Sequence, residues 1–185
     1  MTVPEPLALA RRARWHPARG LQRGLMPPTL RPWILSDGSL TDQVRALCPE
    51  DFQLRVLRQW RGRPRPDEAR ALGISPGAPA LLREVALCCG ETPLILARSI
   101  IPLSSLSGRG CRLANLGGQP LGAVLFADRS TRRGALAITR LSLRGTGLNG
   151  ARGRPGAIWG RRAVFRYGGR RLLICEFFLP ALTGC

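Results

Sequence analysis

A chain of 185 residues with 44% hydrophobic content can bury one good core, and two would be a squeeze. The formal charge is +18, but every basic residue is arginine, the arginines are scattered, and aromatics are only 5% of the chain, so the pattern argues against a nucleic-acid platform built from basic and stacking residues. The lack of lysine excludes a Schiff base, a pyridoxal phosphate anchor and a P-loop, and a single histidine, His16, argues against a Ser-His-Asp site or a His-based zinc site.

No stretch reaches the roughly 18 apolar residues of a membrane span, and no apolar block precedes a cleavage site near Met1, so cytoplasmic residence is expected. Cysteines stand at 48, 88, 89, 111, 175 and 185 without a C-x-x-C pair. They read as small core fillers in a reducing compartment.

In chain order, residues 1–28 form a Pro/Arg-rich arm with a short helix expected over Leu7 to Trp15. The arm is expected to pack Trp15, Leu21 and Leu25. A domain then runs from 29 to 185. Thr29 to Leu35 gives a helical turn, and Ser39 or Thr41 can cap a helix reaching Cys48. Phe52 to Trp60 reads as a strand, and Asp67 to Gly73 as a short helix closed by glycine. Ala80 to Cys88 and Pro93 to Ile101 make a hairpin around Gly90. Short helices are expected over Arg112 to Leu116 and over Leu121 to Phe126, the second starting after Pro120. A strand over Ala135 to Leu143 precedes a Gly-rich loop, Arg144 to Gly156. Trp159 to Tyr167 and Arg171 to Leu179 form a closing hairpin about Gly168-Gly169. About six strands joined mostly as hairpins predict an α+β fold with one antiparallel sheet and short helices.

Three charged side chains interrupt apolar strand faces: Arg83, Arg98 and Glu176. Alternation puts Glu176 with Leu172, Ile174 and Phe178, where a carboxylate costs several kcal/mol unless it is paired, hydrogen-bonded or protonated. Arginine grips carboxylates in a planar, bidentate way, so two arginines and an acid suit a small carboxylate ligand. A self-satisfied Arg–Glu pair fits the same pattern.

Leu82-Arg83-Glu84-Val85, Gly90-Glu91-Thr92-Pro93, Ala97-Arg98-Ser99-Ile100-Ile101-Pro102, Leu116-Gly117-Gly118-Gln119-Pro120-Leu121-Gly122, Trp159-Gly160-Arg161-Arg162 and Glu176-Phe177-Phe178-Leu179-Pro180, in this order, resemble the chorismate pyruvate-lyases over roughly residues 30 to 180. The resemblance implies a chorismate lyase-like sheet with flap loops over an internal ligand site in residues 29–185. It implies a cofactor-independent lyase making 4-hydroxybenzoate and pyruvate from chorismate, the first committed step to ubiquinone. Arg83 matches the arginine on the ring carboxylate, Glu176 the acid near the ring hydroxyl, and Leu121 and Leu40 positions that offer backbone to the ligand. A substrate role for Arg98 is extended from its strand face. The partners implied are chorismate and 4-hydroxybenzoate, with no specific nucleic acid, and the chain is expected to be a monomer. The 139–157 segment departs from the family pattern in length and in its Gly and Arg content. The rival reading is a non-catalytic effector-binding domain of the same fold.

Overall fold

The computed structural model describes residues 6–18, 25–142 and 157–183, with Pro6 and Leu7 described in backbone only. The expected loop at 144–156, Leu21 and Cys185 lie outside them. The helices are α1 (Pro6–Arg12), α2 (Arg31–Leu35), α3 (Leu40–Leu47), α4 (Pro66–Leu72) and α5 (Leu121–Ala127). The strands are β1 (His16–Pro17), β2 (Phe52–Gly62), β3 (Ala80–Cys89), β4 (Thr92–Pro102), β5 (Arg132–Arg133), β6 (Ala137–Ser142), β7 (Ala157–Tyr167) and β8 (Arg170–Phe178). Six of these eight are full-length strands, as expected; β1 and β5 are two-residue additions that no periodicity can announce.

The strands form one antiparallel sheet in the order β1-β6-β7-β8-β4-β3-β2, with β5 pairing onto β7. Long β8 and β4 lie in the middle, and their covered faces explain the unbroken apolar run near the C-terminus. Leu173, Cys175 and Phe177 point to one face, together with Leu82, Ala86 and Leu96; α1 and α4 close this layer with Leu9, Ala10 and Leu72. Leu172 and Ile174 point to the other face, where α5 supplies Leu121 and Leu125. Phe178 continues that face toward α2 and α3, meeting Ile34, Leu40 and Val44. Burying each such side chain stabilises the fold by about 1.5–3 kcal/mol.

Turn chemistry sets the register. Gly168 and Gly169 have φ of 55° and 77°, the left-handed pair that a two-residue hairpin demands. The β7–β8 ladder then pairs Tyr167 with Arg170 and, without a shift, Arg161 with Glu176. The β3–β4 hairpin is less regular. Cys88 faces Pro93, but the next pair is Leu87 with Ile95, so one residue of β4 is extra. Such a bulge shifts all later pairs by one.

Several boundaries move. The helix expected over Leu7 to Trp15 stops at Arg12, and Trp15 instead packs on Phe177 with ring centroids 5.9 Å apart. The short helix expected over Arg112 to Leu116 is instead a 3₁₀ segment, Gly108–Leu113. Leu25 is exposed, and its neighbour Met26 enters the core.

Candidate active site

The site sits where β3, β4, β8 and β7 present one face to the N-termini of α3 and α5. Ser39 caps α3, its Oγ accepting from the Asp42 amide at 3.3 Å. Pro120 starts α5 with its φ already near −65°. The two helix starts abut: a Cβ placed on Gly122 would lie 3.4 Å from Ser39 Oγ. Behind this seam is a narrow cavity of ≈ 60 Å³. Leu40, Leu121, Arg83, Ser99, Arg161 and Glu176 line it, with Leu54, Val85, Phe165 and Ile174 as apolar wall. Ligand pockets commonly measure roughly 300–1,000 Å³, so the cavity as it stands is smaller than a ring ligand needs.

Arg83 is 2% exposed. Its Nη1 donates to Gln59 Oε1 at 2.8 Å and its Nη2 to the Gln119 carbonyl at 3.1 Å. Among the described residues it makes no ion pair, and burial pulls its pKa below the ordinary arginine value. A buried guanidinium held only by neutral acceptors is electrostatically incomplete, and a carboxylate entering the cavity would complete it.

Glu176 faces the same cavity from β8. Arg161 Nε donates to its Oε2 at 2.6 Å. Glu176 retains 19% side-chain exposure against 4% for Arg161. The Nη1 of Arg161 also donates to the carbonyls of Trp33 (3.0 Å), Ile34 (3.3 Å) and Ser36 (2.8 Å), the segment leading into α3. The awkward carboxylate of the last strand is therefore paired across the hairpin, and the pair belongs to the cavity wall.

Arg98 is not with them. The bulge in the β3–β4 hairpin places Arg83 opposite Ser99 and Arg98 opposite Glu84, so the two arginines point to opposite faces. On the far face, Arg98 Nε donates to Glu68 Oε1 and its Nη1 to Glu84 Oε1, both at 2.8 Å. Burial works against this charge, and the two carboxylates more than offset it, so the Arg98 pKa stands above its ordinary value. The expectation that Arg98 reaches the ligand from its strand face is corrected accordingly: it clamps α4 to the sheet.

Arg161 and Gln59 were not singled out by the sequence reading. The Gly168-Gly169 turn held the signal for Arg161, because counting outward from it pairs 161 with 176. Gln59 had no comparable signal, since the β2–β3 ladder contains its own irregularity between Val56 and Arg58.

Comparison with known proteins places this geometry. A family model described as chorismate lyase matches residues 9–183. A protein from Methylococcus capsulatus named "Probable chorismate pyruvate-lyase" is 45% identical over 83% of this chain and 96% of its own. One from Azoarcus sp. with the same name is 43% identical over 91% of this chain and 96% of its own. Among solved structures, the PhnF protein of Mycobacterium smegmatis shares the fold with a TM-score of 0.56 at 17% identity, covering 80% of this chain and 66% of that one. The effector domain of the same protein gives 0.54 at 16%, covering 78% and 90%. The distant structures share the architecture alone, whereas the sequence match runs through both helix starts and all strands of the cavity wall, and the chain belongs to the chorismate lyase family.

Proposed function

We propose that the protein removes pyruvate from chorismate to release 4-hydroxybenzoate, and that this is the entry step to ubiquinone in a cell that uses that route. The observation that carries the reading is Arg83, a buried cation without an acid partner, in one cavity with a carboxylate that already has its own arginine. Arg83 clamps the ring carboxylate. The first-turn amides at Leu40 and Leu121, which have no helical carbonyl to bind, supply further donors for carboxylate oxygen. Glu176 accepts from the ring hydroxyl.

Chorismate is a dihydroaromatic ring with an enolpyruvyl ether and two carboxylates. In the reaction the ring–ether C–O bond breaks, the carbon bearing the hydroxyl gives up its proton, and the enolpyruvate methylene gains one to become pyruvate. The ring becomes aromatic, so the driving force lies in the substrate and no cofactor is needed for it. What the protein adds is a fixed conformer in a water-poor space, with charges in place before the bond breaks. We place the reaction in the cytoplasm and assign it to a monomer.

The test is direct. Purified protein mixed with chorismate is expected to give 4-hydroxybenzoate absorbance and an equal amount of pyruvate. Binding of 4-hydroxybenzoate without any turnover would move the protein to the effector-binding class.

A further inference from the structure

We infer that Arg161 is a positioning residue that links closure of the 33–41 segment to the setting of Glu176, holding one carboxylate oxygen so that the other is offered to the ligand hydroxyl. This rests on the reading of the cavity as a chorismate site.

The guanidinium is a rigid plane with donors on separate edges. One edge, Nε, holds Glu176 Oε2 at 2.6 Å. The other, Nη1, holds the Trp33, Ile34 and Ser36 carbonyls. Those carbonyls lead directly to Ser39, Leu40 and Thr41, which line the cavity. Arg133 Nη1 grips the Ser36 carbonyl from a second direction at 2.7 Å, and Arg133 also pairs with Asp37, so two arginines hold this segment in place. When the segment is seated, three carbonyls fix the plane of Arg161, and the plane fixes Glu176. When it lifts, Nη1 loses its acceptors and the carboxylate loses its reference. A residue reaching the substrate hydroxyl is thus oriented only when the site is shut. Lysine can keep a positive charge beside Glu176, but its single nitrogen cannot serve both edges.

The experiment measures binding, which separates this inference from the catalytic reading. Dissociation constants for 4-hydroxybenzoate and benzoate are measured by titration calorimetry on the wild type, Arg161→Gln, Arg161→Lys, Glu176→Gln and the Arg161→Gln/Glu176→Gln pair. Release of 4-hydroxybenzoate is followed by stopped flow. Failure of the wild type to bind 4-hydroxybenzoate or to turn over chorismate would sink the proposed function itself. With wild-type activity present, the wild type is expected to prefer 4-hydroxybenzoate over benzoate by about tenfold or more, as a hydrogen bond to a charged acceptor allows. Arg161→Gln is expected to cut that preference to about threefold or less, yet to change it by under about twofold in the Glu176→Gln background, where the residue it acts through is gone. Arg161→Lys is expected to lower the preference as well and to release the ligand about tenfold faster, because the carbonyl tether that sets Glu176 is lost. Equal losses in both backgrounds would show that Arg161 merely supports the fold. Wild-type release from Arg161→Lys would remove the link to the segment, and that variant decides the matter if Arg161→Gln does not fold.

Discussion

At the scale of single residues, Arg83 and Glu176 differ in what they cost the empty protein. Arg83 is buried with two neutral acceptors and, among the described residues, no acid. Its desolvation is repaid only when a carboxylate arrives. Arg83→Met is therefore expected to weaken 4-hydroxybenzoate binding by about 100-fold or more, while urea unfolding shows a stability loss of no more than about 1 kcal/mol. Glu176→Gln keeps the shape and an acceptor but removes the charge. Near-normal chorismate turnover by that variant would exclude an obligatory acid–base role and leave hydroxyl binding as its task. The thiols give a separate check. Burial pushes the Cys175 thiol far up, and burial chiefly raises Cys88 as well, with nearby Arg55 opposing it. Cys111 is exposed. In the native protein, iodoacetamide at mildly alkaline pH is expected to label Cys111 and to spare Cys88 and Cys175, as read by peptide mass spectrometry. A raised thiol pKa also means that the unfolded chain ionises first. Stability is then full below the ordinary thiol range near about 8.5 and falls as pH rises past it, so the urea midpoint is expected to drop on going toward pH 10.

At the scale of elements, α4 is fastened to the sheet by charge as well as by Leu72. Glu68 accepts from Arg98 and also from the Arg65 amide at 2.9 Å, which makes one side chain both a helix cap and an ion-pair partner. Asp67 of the same turn receives Arg162 at 3.0 Å. Arg98 keeps Glu84 when Glu68 is removed, so Glu68→Ala costs the charged hydrogen bond and the cap and is expected to destabilise the protein by about 1.5–3 kcal/mol in urea unfolding. Affinity for 4-hydroxybenzoate per folded molecule should stay unchanged, since Glu68 lies behind the sheet. This is also where the sequence was and was not legible. Alternation in Arg171 to Leu179 sorted its side chains correctly onto two faces, because β8 has no irregularity. The helix start at Ser39 was announced by capping chemistry and that at Pro120 by proline's fixed φ. Arg98 was not legible. A regular hairpin about Gly90-Glu91 would place it opposite Arg83, and one extra residue near Pro93 reverses its side. Periodicity counts residues along one strand and carries no information on a bulge in the pairing between two.

At the scale of the whole molecule, the net charge of +18 bears on the proposed substrate, which carries two carboxylates. The field of scattered arginines reaches beyond the cavity and favours encounter with an anion, within a screening length of about 10 Å at 0.1 M salt. If capture limits turnover, kcat/KM for chorismate is expected to fall severalfold between low and roughly 0.3 M salt, with kcat nearly constant. Steady-state kinetics over a salt series checks this.

The sheet order has a further consequence. Arg83 stands on β3 and Glu176 on β8, and β4 alone lies between them. Their partners on β4, Ser99 and Ala97, are two positions apart. Strand spacing of about 4.8 Å and a rise of about 3.4 Å per residue therefore set the offset between cation and carboxylate by hydrogen-bonded backbone and not by loops. Under the proposed function the sheet serves as a ruler for the length between the ligand's acid group and its hydroxyl. On that reading a ring with these groups at opposite ends is expected to meet both marks, and the isomers with the hydroxyl closer to the acid to fall short of one. Loop changes around the cavity are then expected to alter how fast a ligand enters or leaves more than which isomer it prefers.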